Sequence, residues 1–409
     1  MATNSTSTTA AAEPASDALL GPVFARGEAA AAVADRPFLQ ALLDVEASYA
    51  RARAGLGLIP AEHAEAIAAA CDAARYDVAA LGRETARHAT PVIGLVAALR
   101  AEVGEDVAPS VHAGLTSQDV VDTALMLCAH RALGPLLDDA AAAADGAALL
   151  AAGQRLTPIL GRTLLQPALP TTFGAKAAGW LTALDEAALE LARVRRTVPA
   201  AQVGGAVGDR STLGEHATAL ATTMADDLGL CHPTLPWHGD RRRPAQLASA
   251  LAVLAGTCAK VAKDVVLLAQ VEVGEAREST QDGEGARGGS SAMAHKANPV
   301  SAVSAAACAA RAPGLAATML SVMDGEHERA AGGWQAEWET LRALIAATGS
   351  AVAWTCDLLE RLEVDPARMR ANLDAALGDD LDLRATEAAA GALVDRALAA
   401  HRARREDRA

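Results

Sequence analysis

The stretch AQLASALAVLAGTCAKVAKDVVLLAQVEVGE, Ala245 to Glu275, decides the fold. Leu247, Leu251, Leu254, Cys258, Val261, Val265 and Leu268 recur at spacings of four and three, the seam of a long helix packed in a bundle. The surrounding composition agrees: alanine and leucine dominate, aromatics make up only 2%, and β-branched runs are short. With 51% hydrophobic residues in 409, the chain can bury a large core.

Helical spacing also covers Arg36–Leu58, about Ala61–Arg75, about Gln118–Arg155, about Ala175–Thr197 and roughly Gly332–Leu362. Between these lie polar, glycine- and proline-rich stretches. VAPSVHAGLTSQD (Val107–Asp119) is a polar turn before a long helix, and LTPILGRTLLQPALPTTFG (Leu156–Gly174) reads as an irregular or kinked connection. GGSSAMAHKANPV (Gly288–Val300) reads as a loop, with Asn298 as the N-cap of the next helix and Pro299 in its first turn. The division that follows is a disordered tail over 1–15, an N-terminal helical domain over 16–108, a central bundle over 109–355 with a loop at 280–299, and a shortened C-terminal helical domain over 356–409. Polar stretches distant in sequence can meet at the ends of such a bundle.

A formal net charge of −14 and the lack of a basic stripe with interleaved aromatics disfavour nucleic acid and anionic membranes as partners. The six cysteines are scattered, with no CxxC pair and no histidine at ligand spacing, so no metal is expected; nothing calls for a cofactor either. MATNSTSTTAAAEPAS lacks the basic and apolar regions of a signal peptide, and no uninterrupted apolar run reaches spanning length. A reducing cytoplasm is the expected location.

Four places could carry chemistry. His112, Thr116, Ser117 and Gln118 gather before a helix whose first-turn N–H groups suit a carboxylate, although Thr116 or Ser117 could equally be a plain cap. Arg162, Thr163, Gln166, Thr171 and Thr172 offer donors but no good base. Arg241, Arg242 and Arg243 precede the opening helix and suit either an anion or a solvated turn. The loop at 283–298 combines the mobility of Gly283, Gly285, Gly288 and Gly289 with Ser290, Ser291, His295, Lys296 and Asn298, the makings of a closing catalytic loop or of a flexible linker.

GGSSAMAHKANP resembles the GSSxMPxKxNP signature of the class II fumarase/aspartase superfamily. HAGLTSQDVVDTA, GRTLLQPALPTTFG and QVGGAVG resemble its other segments in the same order. LLDVEASYARARAGLGLIP, WHGDRRRPAQLAS and EHERAAGGWQAEWETL are similar to the 3-carboxy-cis,cis-muconate cycloisomerases within it. The resemblance implies an all-α, three-domain fold whose five-helix bundles assemble into a homotetramer with a twenty-helix core, each active site built from three subunits. It implies Ser290 as the base that removes a Cβ proton, and Lys296 as its catalytic partner, which with Asn298 holds a substrate carboxylate. It further implies Thr116, Ser117 and Asn298 on substrate carboxylates, Arg241 facing substrate, and His112, Ser291, Gln166 and Met293 among the binding residues. His112 and His295 are candidates for a general acid.

The departures bear on the substrate. Relatives that expel an amine or hydroxide have a histidine where Leu164 stands, and a weakly basic leaving anion needs no such acid. Ala294 replaces the signature proline, Ala297 an arginine often found in cycloisomerases, and Gln335 the histidine of their WHAEW segment. The resulting expectation is β-elimination from a substituted succinate to fumarate, with nitrosuccinate first. Lactonising cycloisomerisation comes second, and a catalytically degenerate structural homologue is a remote third.

Overall fold

In the computed structural model, residues 19–282, 285–293 and 296–406 are described; the expected tail, Ala294 and His295 lie outside them. Two short turns, α1 (Gly21–Phe24) and α2 (Glu28–Ala31), lead into α3 (Asp35–Gly55), α4 (Ala61–Ala70), α5 (Val78–His88) and α6 (Val92–Val103). The bundle follows: α7 (Ser117–Gly153), α8 (Phe173–Thr197), then α9 (Ala217–Leu228) outside it, α10 (Arg242–Leu268), α11 (Val300–Ser321) and α12 (Gly333–Glu360). The chain ends in α13 (Pro366–Leu377) and α14 (Arg384–Glu406), and α14 lies back along α7 and α8.

The five long helices pack in sequence, α7 on α8, α8 on α10, α10 on α11, α11 on α12, and α12 back on α7. The α10 seam read from the sequence is the centre: Leu247, Leu251, Leu254, Cys258, Val261 and Val265 are fully buried. One apolar cluster runs from Ala29 through the bundle to Val394, so the N-terminal helices and α14 share the core. The boundary expected at 355 falls inside the continuous helix α12.

Two expectations need correction. Leu156–Gly174 is no irregular connection: β1 (Pro158–Thr163) and β2 (Gln166–Thr172) pair antiparallel, from Pro158 opposite Thr172 to Thr163 opposite Gln166. Its tip, Leu164 and Leu165, takes positive φ of 52° and 63°, a turn favoured by Asn-Gly and hidden here by two leucines. Asn298 does not cap α11; Pro299 occupies that position, and the Asn298 amide turns back into the loop. Two further two-stranded ladders, β3 (Ala276–Glu278) with β6 (Leu362–Val364) and β4 (Gln281–Asp282) with β5 (Gly285–Ala286), flank that loop.

By length and mean hydropathy alone α7 and α11 meet the criterion for a membrane-crossing helix, although charged residues interrupt both. Most of the apolar window of α7 is buried within the chain and less than half of that of α11. Among the described residues no cluster of His, Cys, Asp or Glu has the arrangement of a metal site.

Candidate active site

The predicted residues fall into two groups at opposite ends of the bundle. Trp334, in the first turn of α12, donates its indole N–H to Asp122 near the start of α7 (2.9 Å), while Gly146 near the end of α7 packs on Leu359 near the end of α12. The two helices therefore run parallel, with Thr116 at one end. At the other, Asp357 accepts from Ser301 (2.5 Å) and from Arg287 (2.9 Å) at the base of the 288–300 loop. The helical rise between Trp334 and Asp357 separates the ends by about 35 Å.

At the first end, Asp119 organises the corner. Its carboxylate accepts from the N–H groups of Thr116 (3.0 Å), Gly204 (2.7 Å) and Gly205 (2.9 Å) and from His238 Nε2 (2.9 Å). His238 is buried, its Nδ1 has no partner among the described residues, and its ring lies so close to Gly204 that a Cβ there would come within 2.7 Å of Cε1. The N–H groups of Ser117 and Gln118, in the first turn of α7, meet no acceptor among the described residues. That helix start is open to an anion.

His112 stands beside this corner with φ of 60°, a left-handed conformation uncommon for a side chain of its size. Its Nδ1 donates to buried Glu46 at 2.6 Å. Burial pushes the imidazole pKa down, but the charge and hydrogen bond of Glu46 outweigh it and leave the pKa above the ordinary histidine value. His112 is thus engaged with Glu46, whose charge and hydrogen bond favour the imidazolium.

The same corner holds a residue that sequence reading did not single out. Arg329, in the loop before α12, donates from Nη2 to the Thr116 hydroxyl (2.8 Å) and from Nε to Gln118 Oε1 (3.0 Å). Its place in EHERAAGGWQAEWETL was visible, but only the fold shows that the loop reaches the start of α7.

Arg241 corrects an expectation. It is buried and faces no open site within the chain: Nη1 and Nη2 grip Asp122 at 2.8 and 3.0 Å, and Nε and Nη2 grip Glu337 at 2.9 and 2.5 Å. Burial alone would push its pKa down, but the two carboxylates more than offset that. Arg162 is also committed, forming a two-pronged pair with fully buried Glu275 (2.8 Å each). Gln166 is exposed beside the hairpin tip, and Leu164 projects almost wholly into solvent.

At the second end the loop is closed by Asn298, whose Nδ2 donates to the carbonyls of Gly288 (2.9 Å) and Gly289 (3.4 Å) and whose backbone N–H donates to Gly288 (2.8 Å). Gly288 has φ of +72°, and a Cβ there would lie 2.4 Å from the Asn298 carbonyl oxygen, so only glycine fits. Within this closed loop the Ser290 Oγ accepts from the N–H groups of Ala292 (3.3 Å) and Met293 (3.2 Å). Two amide dipoles aimed at one hydroxyl oxygen favour its alkoxide, which a serine needs to act as a base. Ser291, Met293 and Lys296 are exposed, and Lys296 has no ion-pair partner among the described residues.

The start of α11, by contrast, is occupied. Glu278 accepts from the N–H groups of Ser301 (2.9 Å) and Ala302 (2.8 Å), so these amides are not available to a substrate carboxylate. Positive charge in this loop comes from Lys296, while the open helix start is that of α7.

A model of the lyase family matches residues 24–314. The chain is 46% identical to a 3-carboxy-cis,cis-muconate cycloisomerase of Bradyrhizobium diazoefficiens, over 88% of this chain and 80% of that one. It is 42% identical to a nitrosuccinate lyase of Streptomyces davaonensis, over 88% and 77%. The solved 3-carboxy-cis,cis-muconate lactonizing enzyme of Pseudomonas putida superposes with a TM-score of 0.86 at 34% identity, over 94% of this chain and 99% of that one. An open α7 start, a hydroxyl held by amides in a glycine loop, and these similarities together place the chain in the lyase family of the fumarase/aspartase superfamily, and it is an enzyme of that class.

Proposed function

We propose that the chain moves a proton at the carbon beside a carboxylate of a small polycarboxylate substrate, with Ser290 as base. The observation that carries the reading is the pair of amide N–H groups on Ser290 Oγ, in a loop that also presents Lys296. The alkoxide takes the Cβ proton, the electron pair passes into the adjacent carboxylate as an aci-carboxylate, and its return to form the C=C bond expels the leaving group. Lys296 offsets the charge that builds up on that carboxylate.

Similarity favours cycloisomerisation, in which the leaving group is the ring carboxylate of a muconolactone and the reverse step closes the lactone. Relatives of that activity reach 46% and 43% identity. Nitrosuccinate elimination, placed first on sequence grounds, becomes the second reading, in which nitrite leaves with the C–N electron pair and fumarate remains. It is supported by the nitrosuccinate lyase at 42%, level with a cycloisomerase of Pseudomonas putida at 42%. Leu164 suits both, since neither leaving group needs protonation.

The working form we propose is a homotetramer with shared sites, because one chain sets its two polar ends far apart while leaving Leu164 and Leu165 exposed at the hairpin tip and Leu169 and Val253 exposed on a groove beneath it. The three-domain division and a cytoplasmic location, which suits six unpaired cysteines, belong to the same proposal.

Purified protein offered 3-carboxy-cis,cis-muconate and nitrosuccinate in parallel decides the order. Lactone formation seen as loss of diene absorbance supports the first reading; fumarate with equimolar nitrite supports the second. Inertness to both would overturn the reading as a whole.

A further inference from the structure

A guanidinium carries five N–H donors. In Arg329, three are used: Nε on Gln118 Oε1 (3.0 Å), and Nη2 on both the Thr116 hydroxyl (2.8 Å) and the Ala206 carbonyl (3.3 Å). All three acceptors are neutral. The side chain is exposed, lies over the Trp334 ring at 5.8 Å, and has no carboxylate within ion-pair distance among the described residues. The two N–H donors on Nη1 are left over.

A long, mobile cation on the surface of a chain of net charge −14 would ordinarily swing to a carboxylate. Arg329 is instead fixed from behind by a network with no free charge to offset it. Gln118, which accepts from Arg329, donates to the His238 carbonyl (3.1 Å), and His238 in turn binds Asp119, which holds the Thr116 N–H. By accepting from Arg329, the Thr116 oxygen has its own hydroxyl proton free to donate elsewhere. The unpartnered N–H groups of Ser117 and Gln118 lie in the next two residues.

We propose that Arg329, through Nη1 and together with the Thr116 hydroxyl, is the cationic receptor for one carboxylate of the substrate. This rests on the reading above that the substrate is a polycarboxylate, and names the residue that recognises it. A carboxylate offers two oxygens to the Nη1 edge and the Thr116 O–H, while the α7 amides add partial positive charge behind.

The test is binding, so it does not depend on turnover. In Ser290→Ala protein, titration calorimetry with fumarate and with tricarballylate measures the affinity, and Arg329→Gln is added to that background. Loss of a charge-assisted pair is expected to weaken both ligands about ten- to a hundredfold, with circular dichroism and oligomer size unchanged and partial recovery in Arg329→Lys. Affinity within twofold of the parent overturns the proposal, as does tight binding of inorganic phosphate where fumarate fails. Should Arg329→Gln not fold, phenylglyoxal labelling of the unaltered protein decides. Saturating fumarate is expected to slow modification of Arg329 at least tenfold by peptide mass spectrometry, and an unchanged rate overturns the assignment. Failure of the function reading looks different: fumarate would bind through Arg329 while no substrate turned over.

Discussion

Arg241 holds Asp122 by two parallel hydrogen bonds, Nη1 at 2.8 Å and Nη2 at 3.0 Å from its carboxylate oxygens, in a buried site. With Glu337 on the other edge, a buried cation faces two buried anions, and Trp334 adds an N–H to Asp122. The triad fastens the start of α7 to the start of α12 and to the turn before α10. Removing the cation leaves two uncompensated carboxylates, so Arg241→Met is expected to cost about 3–5 kcal/mol in urea unfolding. A loss of affinity for substrate at unchanged stability would instead restore Arg241 to the substrate-facing role.

His112 gives a pH dependence of known sign. Its folded pKa is raised by Glu46 above that of the unfolded chain, so its stabilising contribution is complete below about pH 6.5 and is lost as pH climbs through the folded value. Urea midpoints measured from pH 5 to 9 should fall across that window in the parent and run flatter in His112→Asn. Parallel curves would show that the Glu46 pair does not titrate in this range.

Much of this was legible beforehand, and the failures have physical causes. The α10 seam fixed the bundle because a spacing of four and three is a local property. Arg241 was legible as a charge but not as a buried one, since Asp122 and Glu337 lie 119 and 96 residues away. The hairpin escaped notice because leucines occupy its left-handed turn, and Glu278 took the amides of α11 from a strand 23 residues back. Arg329 escaped notice because a cation in an exposed loop looks the same whether or not it is held from behind.

Asp357, on α12, ties the 288–300 loop to that helix. Burial pushes its carboxyl up, but hydrogen bonds from Arg287, Ser301 and Arg361 and the charge of Arg287 hold it at about 2. A depressed folded pKa means stability present above about pH 4 and lost as pH falls toward that value. Asp357→Asn should therefore unfold more easily at pH 7 and flatten the acid limb. Because Arg287 leads directly into Gly288, turnover should drop about tenfold or more; unchanged turnover would mean that the loop is held without it.

The hairpin tip tests self-association. Leu164 and Leu165 are exposed on a turn whose backbone tolerates polar residues better than leucine. Leu164→Asn with Leu165→Gly should leave the fold intact by circular dichroism yet shift light-scattering mass downward and lower turnover. A mass unchanged from the parent would remove the hairpin from the interface.

The strongest test of shared sites follows from the separation of Thr116 and Ser290. Ser290→Ala lacks the proposed base, and Thr116→Val lacks the hydroxyl that meets Arg329; each alone is expected to be at least a hundredfold down. If each site takes Thr116 from one copy and Ser290 from another, mixed oligomers formed by dilute denaturation and refolding contain some sites in which both residues are intact. For random pairing of two contributing chains that fraction is about one quarter, the product of two halves, so mixing should recover turnover far above either variant alone. A chain that folded its own Thr116 against its own Ser290 could recover nothing, because every site would then keep one lesion.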